Sequence, residues 1–184
     1  STYDFQNAVA SLVPLLSGRF QVEAIQLGEL GPVTTRQRIR QAFDEGRLLV
    51  GWMGHGSTVQ WAGEGVFGTG TVPQLASDNR QPIVSVMGCM NAAFHLGTAD
   101  CLGEALLEAD ARGASAFWGA TALVPPDGQE RVMREFARVL SREPPTTVGD
   151  AVLESMVRAW AGEAPDSEIL RAFVLLGDPA TRAR

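Results

Sequence analysis

Two short apolar runs in this chain end in the same way. Arg47-Leu-Leu-Val-Gly-Trp-Met53 stops at Gly54-His55-Gly56-Ser57, and Pro82-Ile-Val-Ser-Val-Met87 stops at Gly88-Cys89. Runs of this length, apolar almost throughout and closed by turn residues, suit the central strands of a parallel sheet. Such strands are buried on both faces, so helices have to lie above and below them. That requirement restricts the chain to the α/β class.

The remaining pattern agrees. Ala114–Trp118 reads as a third strand ending at Gly119, and Phe20–Leu27 alternates like a strand buried on one side only. Helical spacing fills the intervals. Asp4–Leu16 opens the chain, with Pro14 near its end. Thr34–Asp44 has Thr34 or Thr35 as N-cap and stops at Gly46. Leu102–Ala111 and Asp127–Leu140 carry apolar residues on one face. Thr147–Trp160 follows the breaker Pro144-Pro145. Two stretches read as loops: Thr58–Gln81, rich in glycine, and Leu123–Gly128, rich in proline. There is no internal repeat, so the 184 residues are expected to form one domain.

Charge narrows the class of partner. The net charge is −6, and all 15 basic residues are arginine. Phosphate contacts need clustered positive charge, and the nearest cluster is only Arg36, Arg38 and Arg40. A nucleic-acid scaffold is therefore not expected. No apolar run reaches the ~18 residues of a membrane span. Two cysteines, Cys89 and Cys101, are too few for a disulfide framework in a chain of this length.

The chemistry concentrates at strand ends. In an open α/β sheet, ligands bind outside the carboxyl ends of the strands. One strand here ends at His55 and another at Cys89. If the two are neighbours, an imidazole and a thiol share one edge. A cysteine nucleophile needs such a base to raise its thiolate fraction. Gly54, Gly56 and Gly88 would permit close approach of a substrate backbone. The amides of Gly56 and Cys89 are candidates for an oxyanion hole. Each residue alone has a plainer reading, since a lone buried cysteine is usually a small hydrophobe. His95 is a rival base on proximity, but no glycines flank it. The spacings among His55, Cys89, His95 and Cys101 match no common zinc pattern, and no metal is expected there.

Four motifs carry a family resemblance. Gly54-His55-Gly56-Ser57-Thr58-Val59-Gln60-Trp61 resembles the histidine motif of the gingipain family of cysteine peptidases. Cys89-Met90-Asn91-Ala92-Ala93-Phe94 resembles that family's nucleophile motif, and the 34-residue step between His55 and Cys89 suits it. Cys101–Leu107 resembles the helix after the nucleophile, and Leu176-Gly177-Asp178-Pro179 the closing turn. The resemblance implies a caspase-hemoglobinase-like fold, mostly parallel sheet with helices on both faces. It implies cysteine endopeptidase activity, with Cys89 as nucleophile, His55 as general acid and base, and the amides of Gly56 and Cys89 holding the oxyanion. Ser57, Trp61, Met87, Gly88, Thr121 and Leu123 would border the substrate. A structural calcium follows by family analogy alone, and no other cofactor is implied.

The departures set further expectations. The loop Gly119–Pro126 lacks the tryptophan that family members place against a basic substrate side chain. The carboxylate that pairs with substrate arginine or lysine belongs to the first part of the family's domain, which this chain is expected to lack. Preference for a basic residue before the scissile bond is thus inherited by resemblance only. Expected partners are a protein or peptide substrate and another segment or subunit that completes the domain. The rival reading is a non-catalytic module of the same fold that binds a peptide or partner without cutting it.

Overall fold

The structure, a computed structural model, describes residues 3–76, 80–97, 99–142, 146–162 and 167–183. The Pro144-Pro145 breaker lies outside the described residues. In chain order the elements are α1 (Phe5–Leu16), α2 (Leu27–Asp44), β1 (Leu49–Met53), β2 (Gln60–Trp61), β3 (Phe67–Gly68) and β4 (Ile83–Met87). They continue with α3 (Leu102–Glu108), β5 (Ala116–Ala120), α4 (Pro126–Leu140), α5 (Val148–Gly162), α6 (Ser167–Ala172) and β6 (Phe173–Gly177).

Four strands form the main sheet in the order β1-β4-β5-β6. β1, β4 and β5 run parallel, and β6 closes the far edge antiparallel to β5. The central strands β4 and β5 are buried at every position, as their unbroken apolar runs require. One face packs on α1, α4 and α5 through Met53, Ile83, Met87, Trp118, Met133 and Phe136. The other packs on α2, α3 and the β2–β3 hairpin through Val50, Val84, Val86, Phe117, Phe67 and Leu102. Helices on both faces of a mostly parallel sheet are the architecture the apolar runs predict.

Several boundaries differ from expectation. Phe20–Leu27 is not a strand: residues 21–26 form no sheet pairs, and Leu27 already begins α2. Alternation makes a strand only where a neighbouring edge takes its backbone hydrogen bonds. α2 is two helical segments joined at a kink at Gly31, whose φ of 70° only glycine adopts freely. The main helix therefore enters at Pro32, not at Thr34 or Thr35, and Thr35 is buried inside it. β5 runs on past Gly119 to Ala120 because its glycine is paired with Val174 of β6. α3 ends at Glu108, before the positive φ values of Ala111 and Gly113. The Thr58–Gln81 loop contains the β2–β3 hairpin, and neither α6 nor β6 was expected. At the start, Asp4 caps α1, its carboxylate accepting from the Asn7 amide at 2.9 Å.

The three clustered arginines serve the fold. Arg36 donates to the Gly65 and Glu64 carbonyls, Arg38 to the Glu23 carboxylate, and Arg40 to the Gln74 carbonyl at 3.0 Å. No helix among the described residues is long and apolar enough to cross a membrane.

Candidate active site

The register of β1 on β4 brings the two strand-end motifs together. Met53 pairs with Met87, and the Gly54 amide donates to the Met87 carbonyl at 3.1 Å. His55 and Cys89 each stand two residues past that last pair. Side by side at one sheet edge, they occupy the place where an α/β sheet presents ligands.

Close approach follows from the glycine at 56. A Cβ there would lie 2.8 Å from the Cys89 carbonyl oxygen, 3.2 Å from the Cys89 nitrogen and 2.8 Å from Asn91 Oδ1. Any side chain would push the two loops apart. Gly56 bridges Trp61 in a short antiparallel turn held by the Ser57 amide on the Gln60 carbonyl and the Ala62 amide on the His55 carbonyl. That pattern turns the Gly56 amide out of the bridge. Among the described residues, no acceptor takes the amide hydrogen of Gly56 or of Cys89.

His55 is exposed, and its backbone is pinned twice. Its carbonyl accepts from the Ala62 amide at 2.8 Å and from Trp52 Nε1 at 3.2 Å. The imidazole packs against Phe5 of α1, edge to face, with centroids 5.3 Å apart. Phe5 in turn meets Tyr3, whose hydroxyl donates to Glu130 of α4. The start of the chain therefore buttresses the histidine, a contact that sequence spacing gives no sign of.

Cys89 is half-buried, and its thiol donates to the Val124 carbonyl at 3.8 Å. The end of β5 and the loop after it are tied to the cysteine loop at two more points. The Met90 amide donates to the Ala122 carbonyl at 3.3 Å and the Ala92 amide to the Ala120 carbonyl at 3.0 Å. Met90 has φ 62°, a left-handed conformation that costs a non-glycine residue about 1–3 kcal/mol. This turn directs the chain inward after Cys89, toward Asn91. Asn91 is fully buried, and its Nδ2 donates to the Ser57 carbonyl and to the Gln60 carbonyl at 3.4 Å. Asn91 thus fastens the cysteine loop to the histidine loop. Its buried Oδ1 has no partner among the described residues.

The other expected residues divide. Ser57 is exposed beside the histidine and Gly88 is buried beneath the cysteine. Met87 is 1% exposed and points into the core. Trp61, expected to border the substrate, is 1% exposed and stacks on Trp52 at 5.4 Å with a 1° interplanar angle. Trp52, half-buried, is the indole adjoining the histidine loop. Thr121 is committed to the fold: its hydroxyl donates to the Ala172 carbonyl at 2.9 Å and its amide to the same oxygen at 2.7 Å. Leu123 stands 74% exposed at the tip of that loop. His95 is exposed on a short 3₁₀ turn, its ring edge to face with Phe94.

Cys101 is fully buried at the start of α3, and burial pushes its thiol up to about 11. Among the described residues no three His, Cys, Asp or Glu side chains stand together as a metal ion would need.

The sequence model of peptidase family C25 matches residues 14–184. Gingipain R2 of Porphyromonas gingivalis is 30% identical over 168 residues, covering 83% of this chain and 22% of that protein. Gingipain R1 of the same species is also 30% identical over 168 residues, which is 16% of its length. The crystal structure of the Arg specific cysteine proteinase gingipain R superposes with a TM-score of 0.79 at 26% identity, over 98% of this chain and 42% of that one. A complex of Porphyromonas gingivalis RgpB pro- and mature domains gives a TM-score of 0.76 over 96% of this chain. The chain thus spans about a fifth of the curated relatives' length.

Proposed function

This chain belongs to peptidase family C25, and on that footing we propose that it hydrolyses peptide bonds through Cys89 and His55. The reading rests on one observation above all. The Met53–Met87 pairing gives both residues the same position beyond adjacent parallel strands. No structural requirement of the sheet calls for that pair of side chains.

The chemistry runs in two halves. The Cys89 thiolate attacks the scissile carbonyl carbon, and the carbonyl π electrons move onto oxygen. The amides of Gly56 and Cys89 receive that oxyanion, having no other acceptor among the described residues. The C–N bond then breaks, and His55 gives its proton to the leaving amine. Water next attacks the thioester while His55 takes its proton. The acid is released and the thiol restored. For this the imidazole must reach the sulfur, which in the free chain donates instead to the Val124 carbonyl. Rotation of the Cys89 side chain away from that carbonyl would precede attack.

A basic residue before the scissile bond is the preferred substrate in this reading, by likeness to a relative named Arg specific. Leu123 and Ser57, exposed on opposite sides of the thiol, are the residues that would meet the peptide.

Brief iodoacetamide labelling at pH 6 tests the dyad. An ordinary thiol of pKa ~8.5 is then almost wholly protonated. Buried Cys101 is the internal control. The reading expects rapid labelling at Cys89 alone, lost in His55→Ala, together with cleavage of arginyl peptides. Slow labelling at Cys89 in both proteins, without cleavage, would favour a binding module whose thiol stays on Val124.

A further inference from the structure

The rim of the sheet at β6, far from the cysteine and histidine loops, is unpaired. β6 lies beyond β5, and no strand among the described residues pairs with its outer edge. The Thr121 amide donates to the Ala172 carbonyl at 2.7 Å, so Ala172 turns toward β5. Backbone groups alternate between the two edges of a strand. Val174 and Leu176 therefore also turn toward β5, and Leu175 turns out. Its amide and carbonyl have no hydrogen-bond partner among the described residues. Phe173-Val-Leu-Leu-Gly177 carries no charge and no proline, the residues that keep a free edge from pairing.

α5 flanks the same rim. Its buried residues, among them Ala151, Val152 and Ser155, face the core. Leu153, Val157 and Trp160 stand 64%, 57% and 52% exposed, at helical spacing that makes one stripe. Gly149, one turn before Leu153, belongs to that stripe. A Cβ there would meet Pro179 at 2.6 Å, so the stripe looks toward the chain that leaves β6. The edge and the stripe are also level. From Gly149 to Val157 the helix climbs about 12 Å. From Pro179 back to Leu175 extended chain climbs about 13 Å.

We propose that this rim receives a second copy of the chain: β6 pairs antiparallel with its counterpart about a two-fold axis through Leu175, and the two α5 stripes pack together on the same axis. A two-fold contact needs a surface that complements itself. An antiparallel pair centred on Leu175 does so, because each Leu175 exchanges both its bonds with the other. At the same height Val157 meets Val157 of the partner subunit, and Leu153 meets Trp160 of the partner subunit. α5 carries Asp150 and Glu154 in its first half and Arg158 in its second, so antiparallel copies set unlike halves against each other. An unrelated strand would take the edge but leave the apolar stripe in water. The copies present their cysteine and histidine loops at opposite ends of one continuous sheet, so the contact covers neither thiol. Nothing in this inference rests on the peptidase reading.

Sedimentation equilibrium of the 184-residue chain, from about 1 to about 300 μM, reads the assembly by mass action. A monomer–dimer equilibrium is expected within that range. Val157→Lys and Val157→Glu alter an exposed position, and circular dichroism checks that both proteins stay folded. Each alone should weaken the dimer at least tenfold, because the axis brings like charges together, and an equimolar mixture of the two should restore it. Hydrogen exchange reads the strand. The Leu175 amide should slow at least tenfold between dilute and concentrated chain, while those of Val174 and Leu176 stay slow throughout. A chain monomeric at every concentration would overturn the proposal. So would a dimer indifferent to the Val157 variants, a mixture that stays monomeric, or a dimer in which the Leu175 amide gains no protection, since each puts the contact elsewhere.

Discussion

Gly56 and Cys89 lie backbone against backbone, with space between them that no Cβ fits: it would meet the Cys89 oxygen at 2.8 Å and nitrogen at 3.2 Å, and Asn91 Oδ1 at 2.8 Å. The two proposed oxyanion donors are therefore positioned by one contact between the histidine loop and the cysteine loop. Gly56→Ala should separate them. Loss of one such donor lowers turnover about 100-fold or more. The expected result is that loss in kcat on a peptide substrate, with KM much less affected. A Gly56→Ala protein with unchanged kcat would remove Gly56 from the oxyanion site.

Asn91 carries the second tie between these loops, through its amide group on the Ser57 and Gln60 carbonyls. Asn91→Ala leaves two carbonyls without their donor and should destabilise the fold by about 1–3 kcal/mol. Asn91→Asp should do more harm, because a carboxylate placed against two carbonyls repels both. Urea midpoints of the two variants, measured at pH 7, should fall in that order.

Met90 gives a prediction of opposite sign. At φ 62°, glycine loses nothing sterically, whereas a β-branched side chain is strained. Met90→Gly should therefore be neutral or stabilising by up to about 1 kcal/mol, and Met90→Val destabilising by about 1–3 kcal/mol. Thermal denaturation of both variants checks the order. Equal Tm values would mean that the left-handed turn is not kept in solution.

Burial raises the Cys101 thiol from an ordinary 9.0 to about 11. Between those values the unfolded chain gives up a proton that the folded chain keeps, so stability falls as pH rises from 9 to 11. Two pKa units correspond to about 3 kcal/mol. Below pH 9 the group makes no difference to the pH dependence. A plot of unfolding free energy against pH for the native chain should bend downward above pH 9, and the bend should lessen in Cys101→Ala. Parallel curves for the two proteins would show that the thiol is not buried in solution.

Which parts of this were legible in the sequence follows from what a linear pattern can encode. β4 could be read because a doubly covered strand must be apolar at nearly every position; β1, expected to be equally central, is instead the outermost strand among the described residues, with Gly51 exposed, and the motifs at the two strand ends gave the family. The side-by-side placement of His55 and Cys89 needed only the further fact of adjacency, which the sheet supplies. β6 escaped because Phe173–Gly177 follows a short helix without a break, and its burial is only partial. Phe20–Leu27 misled because alternation reports which faces are buried, not whether an edge is available. Trp61 misled for a related reason: aromatic residues near a site line it or support it from behind, and composition does not separate the two. The Val124 carbonyl and the Met90 turn are backbone features that no residue type announces. Asn91 was in plain view inside the cysteine motif, and a short polar residue in an otherwise apolar turn was the signal that could have marked it.

The Gly177-Asp178-Pro179 turn has a consequence for how the protein is made. The carbonyls of Pro179 and Thr181 accept the amides of Gly149 and Val148, at 2.9 and 2.8 Å, and so cap the start of α5. A Cβ at Gly149 would meet Pro179 at 2.6 Å, so that cap sits directly on the helix. A ribosome delivers α5 before the stretch that caps it, and before β6. Until those residues emerge, a nascent chain holds α5 with its first amides unsatisfied and the β5 edge bare. The stretch beyond β6 is thus synthesised after the helix it caps, and α5 gains that cap only once residues 179–181 have left the ribosome.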